Sequence, residues 1–331
     1  MMIANKTVTF IRKAAAIQLA GVLMFLYLIL VLLGILGNAM VILVVGNSII
    51  QEPGGGRSSD MILVNMALSN LLVSVMRNTL LVTSDFGLEV LPTKNWCQLL
   101  MGVWVWLRSA NVWSTFFLSA FHFYTLKRTS PPISSVIQAR GPPKALLMCF
   151  GLIWTLSLLS SVPLFVYSRS GGKNASETIM LLSSTTRPLL GCWWDFPSAY
   201  SGLVFATTSM MIHEAIPIIL MSATTLGSLL ILYAYGNAHK AINRGHDAPI
   251  IHRVPAERRA AKVILGLILL FTFSWGTSII SVNYFNYNGG PSSEYLLVLA
   301  RFSNSAFIAF TPIILAVGHR KLREVIKSIV K

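Results

Sequence analysis

The chain has 331 residues, of which 54% are hydrophobic and only 11% charged, with a mean hydropathy of +0.68 and a formal net charge of +15. Soluble domains carry about 25% charged residues, so this composition argues against a water-soluble globule, and no stretch reads as a separate soluble domain. Apolar runs of about 20 residues cross a hydrocarbon core roughly 30 Å thick. Seven occur, at 17–45, 60–84, 97–126, 144–167, 201–235, 260–285 and 293–317. Backbone groups in lipid must be satisfied within their own segment, so each run is predicted as a helix. The expected fold is all-α and integral to the membrane: one seven-helix bundle over residues 1–331.

The first run is too long for the apolar core of a signal peptide and is expected to act as an uncleaved anchor. With the N-terminus outside, sixteen Lys and Arg residues fall on the inner side and seven on the outer, which fits the inward bias of positive charge. The acceptor triplets Asn5-Lys6-Thr7 and Asn174-Ala175-Ser176 then both lie outside, where Asn5 and Asn174 could carry glycans. Within helix one, Gly37 allows close helix approach and Asn38 supplies a bond between helices. Helix two contains Asn70 and, nearer its outer end, Arg77.

Helix three opens with Cys97, and Cys192 lies in the long outer segment before helix five. Both face an oxidising compartment in this orientation, so a Cys97–Cys192 disulfide would pin that segment over the bundle mouth. Cys149, among apolar neighbours in helix four, is expected to be a buried, inert thiol. Arg108 follows Cys97 by eleven residues, about 16 Å along a helix, which places a permanent charge near the membrane middle. Such a charge is costly and faces a cavity or a partner. Arg77 and Arg301 lie in helices two and seven, toward the outer half. Glu214, beside His213 in helix five, is the acid assigned to a span.

Two readings of these charges stand side by side. Glu214 can pair with one arginine while the others snorkel outward or bond carbonyls. Alternatively, the surplus positive charge lines a wet pocket and receives an anionic group, for which the planar guanidinium is well shaped. Trp104, one turn before Arg108, shares its face; Trp106 and Trp113 share another. His213, His122 and Glu214 lack metal-ligand spacing, and no metal or cofactor is expected. No paired carboxylates, nucleophile–base pair or phosphate loop points to an enzyme. A transporter would be expected to show repeats or coupled acids; a channel would need a ring of charges.

At the inner face, the basic stretch between helices five and six reads as a topology signal and lipid contact, and as a docking surface. After helix seven, Leu322, Val325, Ile326 and Ile329 alternate with Arg320, Lys321, Arg323 and Lys327, predicting a short amphipathic helix over 319–331 on the inner leaflet.

Several motifs occur in a recognisable order. Leu118-Ser119-Ala120-Phe121-His122 follows Arg108, Ser114 and Thr115; Pro255-Ala256-Glu257-Arg258-Arg259-Ala260 opens helix six; Thr311-Pro312-Ile313-Ile314-Leu315 lies in helix seven. The set resembles the vomeronasal type 1 receptors and the fish olfactory receptors class A-related, within the rhodopsin-like G-protein-coupled receptors. FYTLK and GHRKL also resemble bitter-taste receptors, which typically lack the helix-three disulfide. The chain departs from the wider superfamily where Asn70 replaces an aspartate of the sodium site, and where Phe121-His122-Phe123 replaces Asp/Glu-Arg-Tyr. The resemblance implies a chemosensory receptor of the plasma membrane in olfactory sensory neurons. Its implied partners are an odorant or pheromone, a heterotrimeric G protein and the bilayer; no nucleic-acid partner is expected. The acid that holds an amine in helix three of amine receptors is missing, so an anionic ligand is expected, with Arg108, Arg301, Glu214, His213, Trp104 and Arg77 as its candidate contacts. His122, Lys127, Arg128, Arg258 and Arg259 are the candidates for G-protein coupling. A ligand that prefers one helix arrangement would shift the population and open the inner ends.

Overall fold

The computed structural model describes residues 2–51, 58–87, 93–128, 144–170, 192–242, 254–288 and 295–330, with backbone alone for some residues near helix ends, including 2–17 and 254–262. Helix α1 is Met2–Gln51 and α2 is Ser58–Asp85, the latter interrupted by a π-helical turn at Ser74–Asn78. Helix α3 is Lys94–Arg128 and α4 is Lys144–Tyr167. A two-stranded antiparallel ribbon of β1 (Ser168–Ser170) and β2 (Cys192–Trp194) follows, with Ser170 opposite Cys192. Helix α5 runs Ala199–Met210, passes a π turn at Met211–Ala215 and continues Ile216–Ile242. Helices α6 (Val254–Asn288), α7 (Tyr295–Gly318) and the short α8 (Arg320–Val330) complete the described chain.

Six of these helices are long and apolar enough to cross a membrane by themselves; α3 is not among them. The reason is its position. Helix α3 packs against α2, α4, α5 and α6, so Arg108, Ser109, Asn111, Ser114, Thr115 and Ser119 are buried against protein rather than lipid. A central helix can therefore carry polar groups that a lipid-facing one cannot. The outer helices show the reverse pattern: Leu152, Leu156, Leu159 and Val166 of α4, and Ile219, Leu226 and Leu230 of α5, are exposed.

Prolines and amides set how the helices meet. Pro312 lacks an N–H, which leaves the Ile308 carbonyl of α7 without its helical donor. Asn38 Nδ2 of α1 donates to that carbonyl at 3.0 Å. A Cβ on Gly37 would lie 2.8 Å from Pro312 Cγ, so glycine is what lets α1 and α7 approach this closely. Asn38 Oδ1 accepts from Asn70 Nδ2 at 3.4 Å, and Asn111 Nδ2 donates to Asn70 Oδ1 at 2.7 Å and Ser69 Oγ at 3.0 Å. A buried amide chain thus joins α1, α2, α3 and α7. Asn65 extends the polar contacts, donating to Ser114 Oγ at 2.9 Å and accepting from Trp154 Nε1 at 3.0 Å.

The Cys97–Cys192 disulfide forms, with Cα atoms 5.4 Å apart, and ties β2 to the start of α3. Beside it, Trp194, Phe196 and Phe205 pack edge-to-face and tilted, sealing the apolar core at this end of the bundle. At the opposite end, Leu322 of α8 is fully buried in a second core with Val45 and Ile62. Leu322 faces protein while Lys327 is exposed and Lys321 reaches along the surface to Ser48 of α1, so α8 is amphipathic as expected. Cys149 corrects one expectation: it is half-buried rather than buried, because α4 turns most of its surface to lipid.

Candidate ligand site in the helix bundle

Arg108 is 3% exposed. Its guanidinium lies 3.4 Å from the ring centroid of Trp275 in α6, within cation–π range. Nη2 donates to Asn304 Oδ1 of α7 at 2.9 Å, and Asn304 Nδ2 donates to Ser278 Oγ of α6 at 2.8 Å. The charge therefore has an aromatic face and a neutral acceptor, which Ser278 in turn holds in place. Among the described residues Arg108 joins no ion pair. The charged groups placed near it are Arg77, over Trp104 one turn before Arg108, and Glu214, on the π turn of α5 that packs against α3.

Arg77 sits on the π turn of α2, with its guanidinium 4.9 Å from the Trp104 ring centroid, and its Nε is buried without a hydrogen-bond partner. His213 and Glu214 sit on the π turn of α5, 4% and 1% exposed. A π turn inserts a residue into the helix and re-aims the side chains at that point. The turn in α5 has a visible cause. Pro217 would clash with the carbonyl of residue 213 in a regular helix, and the wider turn just before it relieves that contact. Three of the six predicted ligand contacts thus lie on backbone irregularities that apolar periodicity does not reveal.

Arg301 lies elsewhere. Its guanidinium forms a two-pronged ion pair with Asp85, at the end of α2, and stacks 3.7 Å from the ring centroid of Tyr27 in α1. This cluster borders a cavity of about 340 Å³ between α1 and α7, lined also by Met24, Val298 and Phe302. Asp85 was not in the sequence reading of the site, since the predicted second span stopped at 84. Asn304, Ser278 and Tyr27 were also missed. The signal for Asp85 was its place one residue beyond an apolar run, in the last turn of a helix.

Of the three tryptophans predicted to wall the site on α3, Trp104 faces Arg77, while Trp106 packs edge-to-face on Trp154 of α4 and donates to its carbonyl at 3.0 Å. Trp113 packs on Phe116. At the α8 end, His122 is buried, 5% exposed, and Lys127 is exposed. Ser119 and Thr224 share a 2.6 Å hydrogen bond between α3 and α5. Asn174 lies outside the described residues, as do the side chains of Asn5, Arg128, Arg258 and Arg259.

A family model described as taste receptor protein (TAS2R) matches residues 16–331. Olfactory receptor class A-like protein 4 of Danio rerio is 38% identical over 92% of this chain and 89% of its own length. Olfactory receptor class A-like protein 1 of the same fish is 24% identical, over 88% of this chain and 87% of its own. The neuropeptide F receptor of Drosophila melanogaster is 23% identical over 80% of this chain and 51% of its own length. These relatives are signalling receptors rather than enzymes, and with the helical bundle they make this a multi-pass membrane protein. The taste receptor model covers most of the chain, and the 38% identity over nearly the whole length shows that the chain belongs to the olfactory receptor class A-like family of G-protein-coupled receptors.

Proposed function

We propose that the chain is a plasma-membrane receptor of olfactory sensory neurons whose ligand is a small organic anion held at Arg108. The disulfide end faces outside and the α8 end faces the cytoplasm, consistent with the excess of Lys and Arg at the latter. The observation that carries the ligand reading is Arg108 itself: a guanidinium 3% exposed, over the Trp275 ring, with a hydrogen bond to a neutral amide. A buried charge left without a counter-ion is costly, and a carboxylate or sulfonate would remove that cost while gaining charge-assisted bonds. Trp104, His213 and Glu214 supply the remaining walls, and Arg77 a further donor.

Arg108 also ties α3 to α6 and α7. An anion that draws the guanidinium toward itself changes both ties at once. A ligand with that differential contact shifts the helix arrangement and so exposes the cytoplasmic end to a heterotrimeric G protein. His122, Lys127, Arg128, Arg258 and Arg259 remain the candidates there. Extracellular glycans at Asn5 and Asn174 belong to the same orientation.

The test is a calcium assay in cells expressing the receptor with a promiscuous G protein, using small aromatic and steroidal acids paired with their neutral esters. Acids are expected to act and esters to fail, and Arg108→Gln to abolish the acid response at unchanged surface level. Equal responses to acid and ester would overturn the reading.

A further inference from the structure

The sequence places three arginines, Arg77, Arg108 and Arg301, against one acid inside the bundle, an excess of two. The structure changes that balance. Asp85 lies on the last turn of α2 and pairs with Arg301, both prongs engaged, beneath the Tyr27 ring. Arg301 is thereby neutralised where it stands, and it is directed toward α1 and α2 rather than toward Trp275. The remaining charges are Arg77, Arg108 and, as a carboxylate, Glu214. Both arginines rest on tryptophan faces, Trp104 and Trp275, and neither joins an ion pair among the described residues. Arg77 lies over Trp104, one turn before Arg108 on α3, and the π turn that carries the buried Glu214 packs against α3.

We infer that this site selects ligands carrying a single negative charge, with Arg77 as the second arm beside Arg108 and Glu214 as the group that rejects dianions. The inference rests on the anionic-ligand reading above. Two arginines against one carboxylate leave one uncompensated positive charge. One monoanion restores neutrality. A neutral ligand leaves the surplus in place, and a dianion creates a surplus of the opposite sign beside Glu214. In a buried site either mismatch is costly, because charge interactions are weakly screened there. The discrimination is therefore one of charge number and not of head-group shape.

2-Naphthyl sulfate and 2-naphthyl phosphate separate the two, since both heads are tetrahedral and only the charge differs. The sulfate is a monoanion, whereas a phosphate monoester with a second pKa of about 6 is close to dianionic at pH 7.5. On the wild-type receptor the sulfate is expected to be more potent by at least roughly tenfold. Glu214→Gln raises the surplus to two, and there the phosphate is expected to gain on the sulfate by a similar factor. An unchanged sulfate-to-phosphate ratio in Glu214→Gln, at normal surface level, overturns the inference. The neutral dimethyl ester of the phosphate keeps the two readings apart. If it matches the sulfate, the anionic-ligand reading fails; if it is silent while sulfate and phosphate are equal, only the charge-number inference fails.

A second measurement needs no ligand. For purified receptor in nanodiscs, Glu214→Gln is expected to lower Tm, and adding Arg77→Gln to restore at least half of the loss. A double variant less stable than Glu214→Gln alone would overturn the inference whatever the probes do, and this arm decides if neither naphthyl compound activates.

Discussion

The guanidinium of Arg108 lies over the ring of Trp275, 3.4 Å from its centroid, and donates to Asn304 at 2.9 Å. One side chain on α3 thus holds α6 through an aromatic face and α7 through an amide. A desolvated cation–π contact is worth about 2 kcal/mol, and a hydrogen bond to a charged group about 1.5–3 kcal/mol. Asn304→Asp would give Arg108 an internal counter-ion in the place of that amide. The variant is expected to reach the cell surface normally and to require at least about tenfold more of an acid agonist, as an internal carboxylate competes with the ligand's. Dose–response curves on surface-normalised cells check this. Unchanged potency would show that agonists do not use the guanidinium.

The contact between α1 and α7 depends on the absence of one methyl group. A Cβ at position 37 would stand 2.8 Å and 2.9 Å from two carbons of the Pro312 ring, which has no rotamer to escape into. Gly37→Ala is expected to destabilise by about 1–3 kcal/mol, as overpacking does, and to reduce mature surface receptor. Gly21→Ala on the same helix is the control, because nothing lies within 4 Å of its Cβ position. Comparing melting temperatures of the two purified variants measures the difference; equal values would mean that α1 can shift freely on α7.

Asp85 and Arg301 are 29% and 22% exposed. Partial exposure limits what their pairing contributes, to about 1 kcal/mol. Asp85→Asn or Arg301→Gln alone is expected to lower stability by about that amount, and Asp85→Asn with Arg301→Gln to recover most of it. Neither change is expected to alter the preference for acids over esters. Loss of that preference in Arg301→Gln, with the receptor at the surface, would place Arg301 in the anion site after all.

Much of the bundle was legible in one dimension. Apolar run length and backbone self-satisfaction force helices wherever the chain crosses lipid; Asn38 and Arg108 announce themselves by being costly in hydrocarbon, Gly37 by its lack of a side chain, and Cys97 and Cys192 by their place on the oxidising side. Even the amphipathic α8 follows from the spacing of Leu322, Val325 and Ile326. Those signals are local, so they survive without knowledge of neighbours. The partners do not. Whether Arg301 meets Arg108 or Asp85, and whether Trp275 or Trp104 covers a given guanidinium, depends on helix rotation and on two π turns, one of them forced by Pro217. A single inserted residue re-aims a side chain without disturbing the hydrophobic pattern. The sequence by itself determined which residues had to avoid lipid; tertiary structure decided which of them neutralise one another and which are left for a ligand, because charge pairing is set by distances across helices rather than along them.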